Sequence, residues 1–227
     1  MTDYHKDRIS IQVGLSGYSF KVETDGTVRS SGWLSADRIF TSTEMQKRYD
    51  EVDIALFTPK CALVPQQFHL AEESGRILAE VARLDESDQV EYVPVPQYAS
   101  VMVYSASIGE SLSRVLSDMV IRTDGSKTRP FPELYHMLMQ LSSIQDYNKI
   151  LASYMDGYLY LTIAQGRTLL LCNVFEAQDF TTAEYFIFLA MKKLQLNPEV
   201  STIYFRTSLE ADQEISLYRY FRNVEQL

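Results

Sequence analysis

Ser16-Gly17-Tyr18 returns 140 residues later as Asp156-Gly157-Tyr158, and the correspondence extends on from there. Gly26 falls on Gly166, and Phe40-Thr41-Ser42-Thr43-Glu44 falls on Phe180-Thr181-Thr182-Ala183-Glu184. Positions 9 to 44 carry six identities with their counterparts, where composition alone gives roughly two. The identities sit at turns and at a helix start, where backbone geometry restricts the residue most.

Working outward from these turns, Arg8-Leu15 and Tyr18-Glu23 carry β-branched and aromatic residues in partial alternation, with Ser16-Gly17 between them as a two-residue hairpin loop. Thr24-Asp25-Gly26 makes a second turn and Thr27-Leu34 a third strand. A helix is predicted from Ser42 to Tyr49, opened by Thr43 and Gln46 at capping-box spacing. The later copy repeats the plan with strands at Lys149-Met155, Tyr158-Ile163 and Arg167-Phe175, and glycine supplies the positive φ of both turns. Thr181 or Thr182 then caps a helix running to Leu196, apolar over most of its circumference and so deeply buried.

Each helix precedes a strand, as a crossover connection requires: Val52-Phe57, continued by Cys61-Val64, and Thr202-Phe205. Between the copies lie helices near His69-Leu84, Ile108-Met119 and Glu133-Leu141, a strand at Ser100-Ser105, and a loop from Arg122 to Pro132. Leu209-Phe221 reads as a terminal helix. The organisation that follows is a first half over 1–98, a connecting region over 99–145 and a second half over 146–227.

Composition narrows the function classes. A chain of 227 residues with 46% hydrophobic content has enough apolar surface for a substantial core. Thirty acidic against 21 basic residues give a net charge of -9, which repels a phosphate backbone and argues against nucleic acid as partner. No stretch reaches the roughly 20 apolar residues of a membrane span. The start, Met1 to Arg8, is charged with no apolar segment after it, unlike a signal peptide. Cys61 and Cys172 stand singly in apolar runs, as buried free thiols do, so the cytoplasm is the expected compartment. His5, His69 and His136 have no His or Cys at ligand spacing, and no metal site is expected. Arg122, Lys127 and Arg129 read as a solvated loop, and Tyr218, Tyr220 and Phe221 as an aromatic side packed on a sheet.

Two tandem βββα units in an α/β chain resemble the actin-like ATPase superfamily, whose halves are RNase-H-like. Leu169-Leu170-Leu171-Cys172-Asn173-Val174-Phe175-Glu176, with Asp179-Phe180 and Leu194-Gln195-Leu196-Asn197-Pro198-Glu199, resembles a family of Bacteroidetes proteins of unknown function understood to carry that fold. The resemblance implies a duplicated α/β architecture of two βββα-based halves. It also implies where a nucleotide would be held: the first hairpin of each half grips phosphate through backbone amides, and a strand-borne Asp orients magnesium.

The superfamily pattern lies over Gly14 to Val22, and there Gly14 takes the Asp position, Ser16 the first glycine, and Tyr18 sets a large ring beside the turn; Lys21 matches. In the second half Ser153 stands near the Asp position and Asp156-Gly157 fills the turn, while Tyr204-Phe205-Arg206-Thr207-Ser208 replaces the adenosine-side Gly-Gly. Ile9 to Leu15 offers no carboxylate for nuclease chemistry. The expectation is a degenerate actin-like module, without catalytic residue, cofactor or metal, acting through a protein partner or as a homodimer. The alternative is a divergent nucleotide-binding protein or ATPase using the cleft between halves, with Ser16, Gly17, Asp156 and Gly157 as its ligands.

Overall fold

Ile9, Ile11 and Val13 alternate with Arg8, Ser10 and Gln12, and the first three are buried, so Arg8–Val13 forms a strand, β1, with one face on a core. The computed structural model describes residues 6–107 and 110–227; His5, with the four residues before it, and the expected helix start at Ile108 lie outside them. β2 (Gly17–Thr24) returns antiparallel to β1, β3 (Thr27–Ser30) antiparallel to β2, and β4 (Leu34–Ser35) pairs with the start of β2. β5 (Glu51–Leu56) then runs parallel to β1.

The chain next makes β6 (Cys61–Pro65), α1 (Ser74–Ala79), β7 (Val90–Val95) and β8 (Ser100–Ser105), with strand order β6-β8-β7. α2 (Glu110–Met119) leads to β9 (Phe131–Pro132), which pairs parallel to β5 and completes the order β3-β2-β1-β5-β9. After α3 (Glu133–Gln140), β10 (Asn148–Met155), β11 (Tyr158–Gln165) and β12 (Thr168–Glu176) form a second antiparallel meander. α4 (Phe180–Lys193) crosses to β13 (Thr202–Phe205), parallel to β10, and α5 (Ala211–Tyr218) to β14 (Asn223–Gln226), parallel to β13. The order β12-β11-β10-β13-β14 matches that of the first sheet, in which β4 is an additional strand beside β2. The chain divides into two compact units, one of Met1–Thr58, Leu84–Glu91 and Tyr104–Glu133, the other of Pro59–Arg83, Tyr92–Val103 and Leu134–Leu227.

Several local expectations are corrected. The predicted helix over Ser42–Tyr49 is instead a single 3-10 turn, Glu44–Gln46, with another, Ala36–Phe40, ahead of it, and Thr43 caps no amide; its hydroxyl donates to the Glu44 carboxylate at 3.0 Å. The apolar face of the first sheet is covered by α2, whose Leu116, with Val120 just beyond it, joins Ile9, Ile11, Val52 and Ile54 in one buried cluster. α4 is capped by Asp179, not by Thr181 or Thr182, because both threonines already lie within the helix while Asp179 is extended and accepts the Thr182 amide at 2.7 Å. Only one side of α4 is deeply buried: Ile187, Ala190 and Met191 pack on Ile150, Leu161 and Ile163, while Tyr185 is exposed.

Cys61–Val64 does not continue β5; after Pro59 the chain joins β8 in another sheet. The helix expected over His69–Leu84 is confined to Ser74–Ala79. The first hairpin loop spans Gly14 to Ser16, one residue longer than expected, while Asp156-Gly157 is a two-residue loop. Among the described residues no helix is long and apolar enough to cross a membrane.

Candidate functional site

The first turn closes with the Gly14 amide donating to the Gly17 carbonyl at 3.0 Å. β4 then presses against it: a Cβ on Gly17 would stand 2.0 Å from the Leu34 carbonyl oxygen. Glycine is therefore required here by the approach of another strand. Trp33, just before β4, donates its indole N–H to the Ser16 hydroxyl at 3.1 Å and tilts its ring against Phe57, centroids 6.3 Å apart. Leu15 projects into solvent at the tip, 69% exposed. Tyr18 corrects the sequence reading: its ring is fully buried in the first core and does not stand beside the turn, and burial pushes its phenol up. Its hydroxyl has no hydrogen-bond partner among the described residues, a cost of roughly 1–3 kcal/mol. Lys21 lies exposed on β2.

Sequence reasoning missed one acidic group in this unit. Glu133, fully buried where β9 meets α3, accepts a hydrogen bond from the Gln12 side-chain amide at 3.2 Å, and Ser19 donates to the same Gln12 at 3.4 Å. Gln12 lies two residues before Gly14, so a carboxylate does reach the end of β1, carried by a later segment. Its sequence signal was weak, since a Glu after Pro132 at a helix start is the ordinary way to open a helix.

The second turn is built differently. Asp156 and Gly157 have φ of +51° and +79°, as a two-residue hairpin with both residues left-handed requires. The Gly157 carbonyl accepts the Ala177 amide at 2.8 Å, and the Tyr154 hydroxyl donates to the Ala177 carbonyl at 3.1 Å. A Cβ on Gly157 would meet nothing nearer than 3.9 Å. Ser153 is fully buried on β10. Past β13, the Arg206 amide donates to the Ala152 carbonyl at 3.0 Å, the Arg206 guanidinium donates to Gln140, and the Tyr154 amide donates to the buried Thr207 hydroxyl at 3.0 Å. Side chains thus fill the stretch where the superfamily pattern has paired glycines. Ser16 and Gly17 share one turn and Asp156 and Gly157 the other, and the two turns belong to different units.

The remaining candidates are tied within the protein. Lys127 pairs with Asp118 at 2.7 Å; Arg129 pairs with Glu91 at 2.6 Å and lies over the Phe131 ring; Arg122 donates to Ser126 at 3.1 Å. Phe221 is buried and stacks on Phe188, while Tyr218 and Tyr220 stay half exposed. His69 shares a 3.0 Å hydrogen bond with Ser74. Cys61 and Cys172 are half-buried thiols outside any disulfide, and burial pushes both up, Cys172 to about 12. Among the described residues no group of three or more His, Cys, Asp or Glu is placed to hold a metal ion.

A family profile described as "Protein of unknown function (DUF3822)" matches residues 5–224. No curated protein is matched. Among solved structures, a Bacteroides thetaiotaomicron protein with actin-like ATPase fold and unknown function aligns over 100% of this chain and 94% of its own, at 15% identity and a TM-score of 0.69. A PilM-PilN type IV pilus biogenesis complex aligns over 97% and 88% at 16% identity and 0.54. The cytoplasmic domain of EpsL, an inner membrane component of the type II secretion system of Vibrio cholerae, aligns over 90% and 83% at 11% identity and 0.51. At these identities the likeness establishes the fold, an actin-like ATPase fold, and nothing narrower.

Proposed function

The chain belongs to the DUF3822 family of proteins of unknown function, and from that membership and its fold we propose that it is a non-catalytic actin-like module that acts through protein contacts. The observation that carries this reading is the first turn. A phosphate-gripping turn needs glycine so that the phosphate can approach bare backbone, and it needs a nearby carboxylate for magnesium. Here Gly17 is glycine because the Leu34 carbonyl occupies the Cβ direction, and a carbonyl oxygen is an acceptor that repels phosphate oxygens. Ser16 is engaged by Trp33, and Gly14 brings no charge. The residues present do not fit a magnesium-bound triphosphate at this turn. Two of the fold's relatives are named as parts of multiprotein assemblies, a pilus biogenesis complex and a secretion system, which fits a scaffold used for binding proteins.

A second reading, a divergent nucleotide-binding protein, is favoured by one observation: the buried Glu133 carboxylate held to Gln12 at the end of β1. Titration calorimetry with ATP, ADP and GTP, each with magnesium, separates the two. The interaction reading expects no saturable heat and no rise in melting temperature at millimolar nucleotide. Saturable binding that weakens in Glu133→Gln overturns it.

A further inference from the structure

We propose that the groove between β12 and α4 docks an extended peptide that adds a strand to the edge of β12 and sets a carboxylate against Lys193. This rests on the interaction reading and names its site. β12 ends its sheet, with β11 as its single neighbour there. Sheet edges are normally blunted by charge, proline or a bulge. β12 has a register shift near Leu170, but from Leu171 to Phe175 it runs Leu-Cys-Asn-Val-Phe, with neither charge nor proline. β6 comes near β12 but pairs with β8 and not with it, and an unpaired edge of this composition is a template for another strand.

Beside that edge, Leu171 and Phe175 of β12 and Phe186, Leu189 and Leu194 of α4 and its C-cap line a cavity of about 270 Å³. That lies below the roughly 300–1,000 Å³ of small-molecule sites, so the cavity suits one or two apolar side chains better than a cofactor. Alternate residues of an added strand point the same way, which delivers such side chains at intervals while the main chain pairs with the edge.

Charge selects among apolar peptides. Lys193 is the one charged residue of the lining, and Lys192 is next to it at the end of α4. Lys193 is exposed and takes part in none of the ion pairs among the described residues. On a chain of net charge -9, a cationic groove mouth complements an acidic peptide that the rest of the surface repels.

The test titrates two fluorescein-labelled peptides of alternating valine and threonine, one flanked by glutamates and one by lysines, into the full chain and into Lys193→Glu, read by anisotropy. The glutamate-flanked peptide binds the full chain more tightly by about fivefold, the upper value for one exposed ion pair, and Lys193→Glu inverts the order. Hydrogen exchange shows new protection across β12 in the complex. Equal affinity for the two peptides, binding of neither, or protection confined to α4 overturns the proposal. So does concentration-dependent protection of β12 without peptide, which makes a second copy of the chain the occupant. None of these outcomes involves nucleotide, so this site fails independently of the interaction reading, which calorimetry alone decides.

Discussion

In the first sheet β3 is joined to β5 through β4 and two 3-10 turns, whereas in the second β12 is joined to β13 by the 14-residue α4, although the strand order on either side is the same. Both sheets have an apolar face to cover, and they cover it from different parts of the chain. α4 follows directly on its meander and packs where it is made. In the first unit the connecting segment buries mainly Ile39, Met45 and Tyr49, and α2, which begins only at Glu110, supplies Leu116. A sheet order can thus be kept while the helix that seals it is contributed from a later segment, because burial requires apolar area at the right place and is indifferent to where in sequence it comes from.

The largest effects test that substitution of roles. Leu116→Ala and Ile187→Ala each remove a fully buried side chain, one from α2 and one from α4, and each is expected to cost about 2–5 kcal/mol by denaturant unfolding. A loss under about 1 kcal/mol for Leu116→Ala would mean that α2 does not seal the first sheet as α4 seals the second.

The turns give a sharper contrast at smaller size. Gly17→Ala drives a methyl to within 2.0 Å of a backbone carbonyl, so β4 must be displaced, at about 2–4 kcal/mol. Gly157→Ala makes only ordinary van der Waals contact, at 3.9 Å, and is left with the cost of its left-handed φ, about 1–2 kcal/mol. Equal costs would show that β4 yields freely, which would reopen the first turn to ligands.

This contrast also explains what was legible in advance. The Asp156-Gly157 hairpin, the strands around it and β8 follow from local chemistry, since turn dihedrals and alternation are decided within a few residues. The two three-strand meanders followed from the repeat of those turns. The failures are non-local. β9 and β14 are short strands specified by the neighbour they pair with, and the two residues of β9 carry no period at all. Gly17 and Gly157 look alike in sequence, yet one is glycine for a tertiary contact and the other for its own φ. Glu133 reaches Gln12 across 121 residues, and no spacing announces such a pair. Tyr18 reads as a ring beside the turn because its sequence neighbours form that turn, but the first core claims its ring.

The smallest expected effect returns to the start of α4 and its counterpart in the first unit. The Thr182 amide and hydroxyl hold Asp179 below the usual carboxylate range. The Glu44 carboxylate is likewise lowered, by its own backbone amide and then by the Thr43 hydroxyl, but it opens only a 3-10 turn. A carboxylate whose folded value is depressed contributes stability that is complete above its unfolded value and drains away as pH falls through the folded one. Asp179→Ala should therefore lower the melting temperature at pH 7, with the gap to the parent closing as pH falls below the ordinary Asp range. Glu44→Ala should produce a smaller gap with the same pH sense, because one short turn depends on it where α4 and its packing depend on Asp179. A gap for Asp179→Ala that persists unchanged into acid would assign the cap's contribution to packing of the turn and not to the ionised carboxylate, and the asymmetry between the two crossovers would then lie in helix length alone.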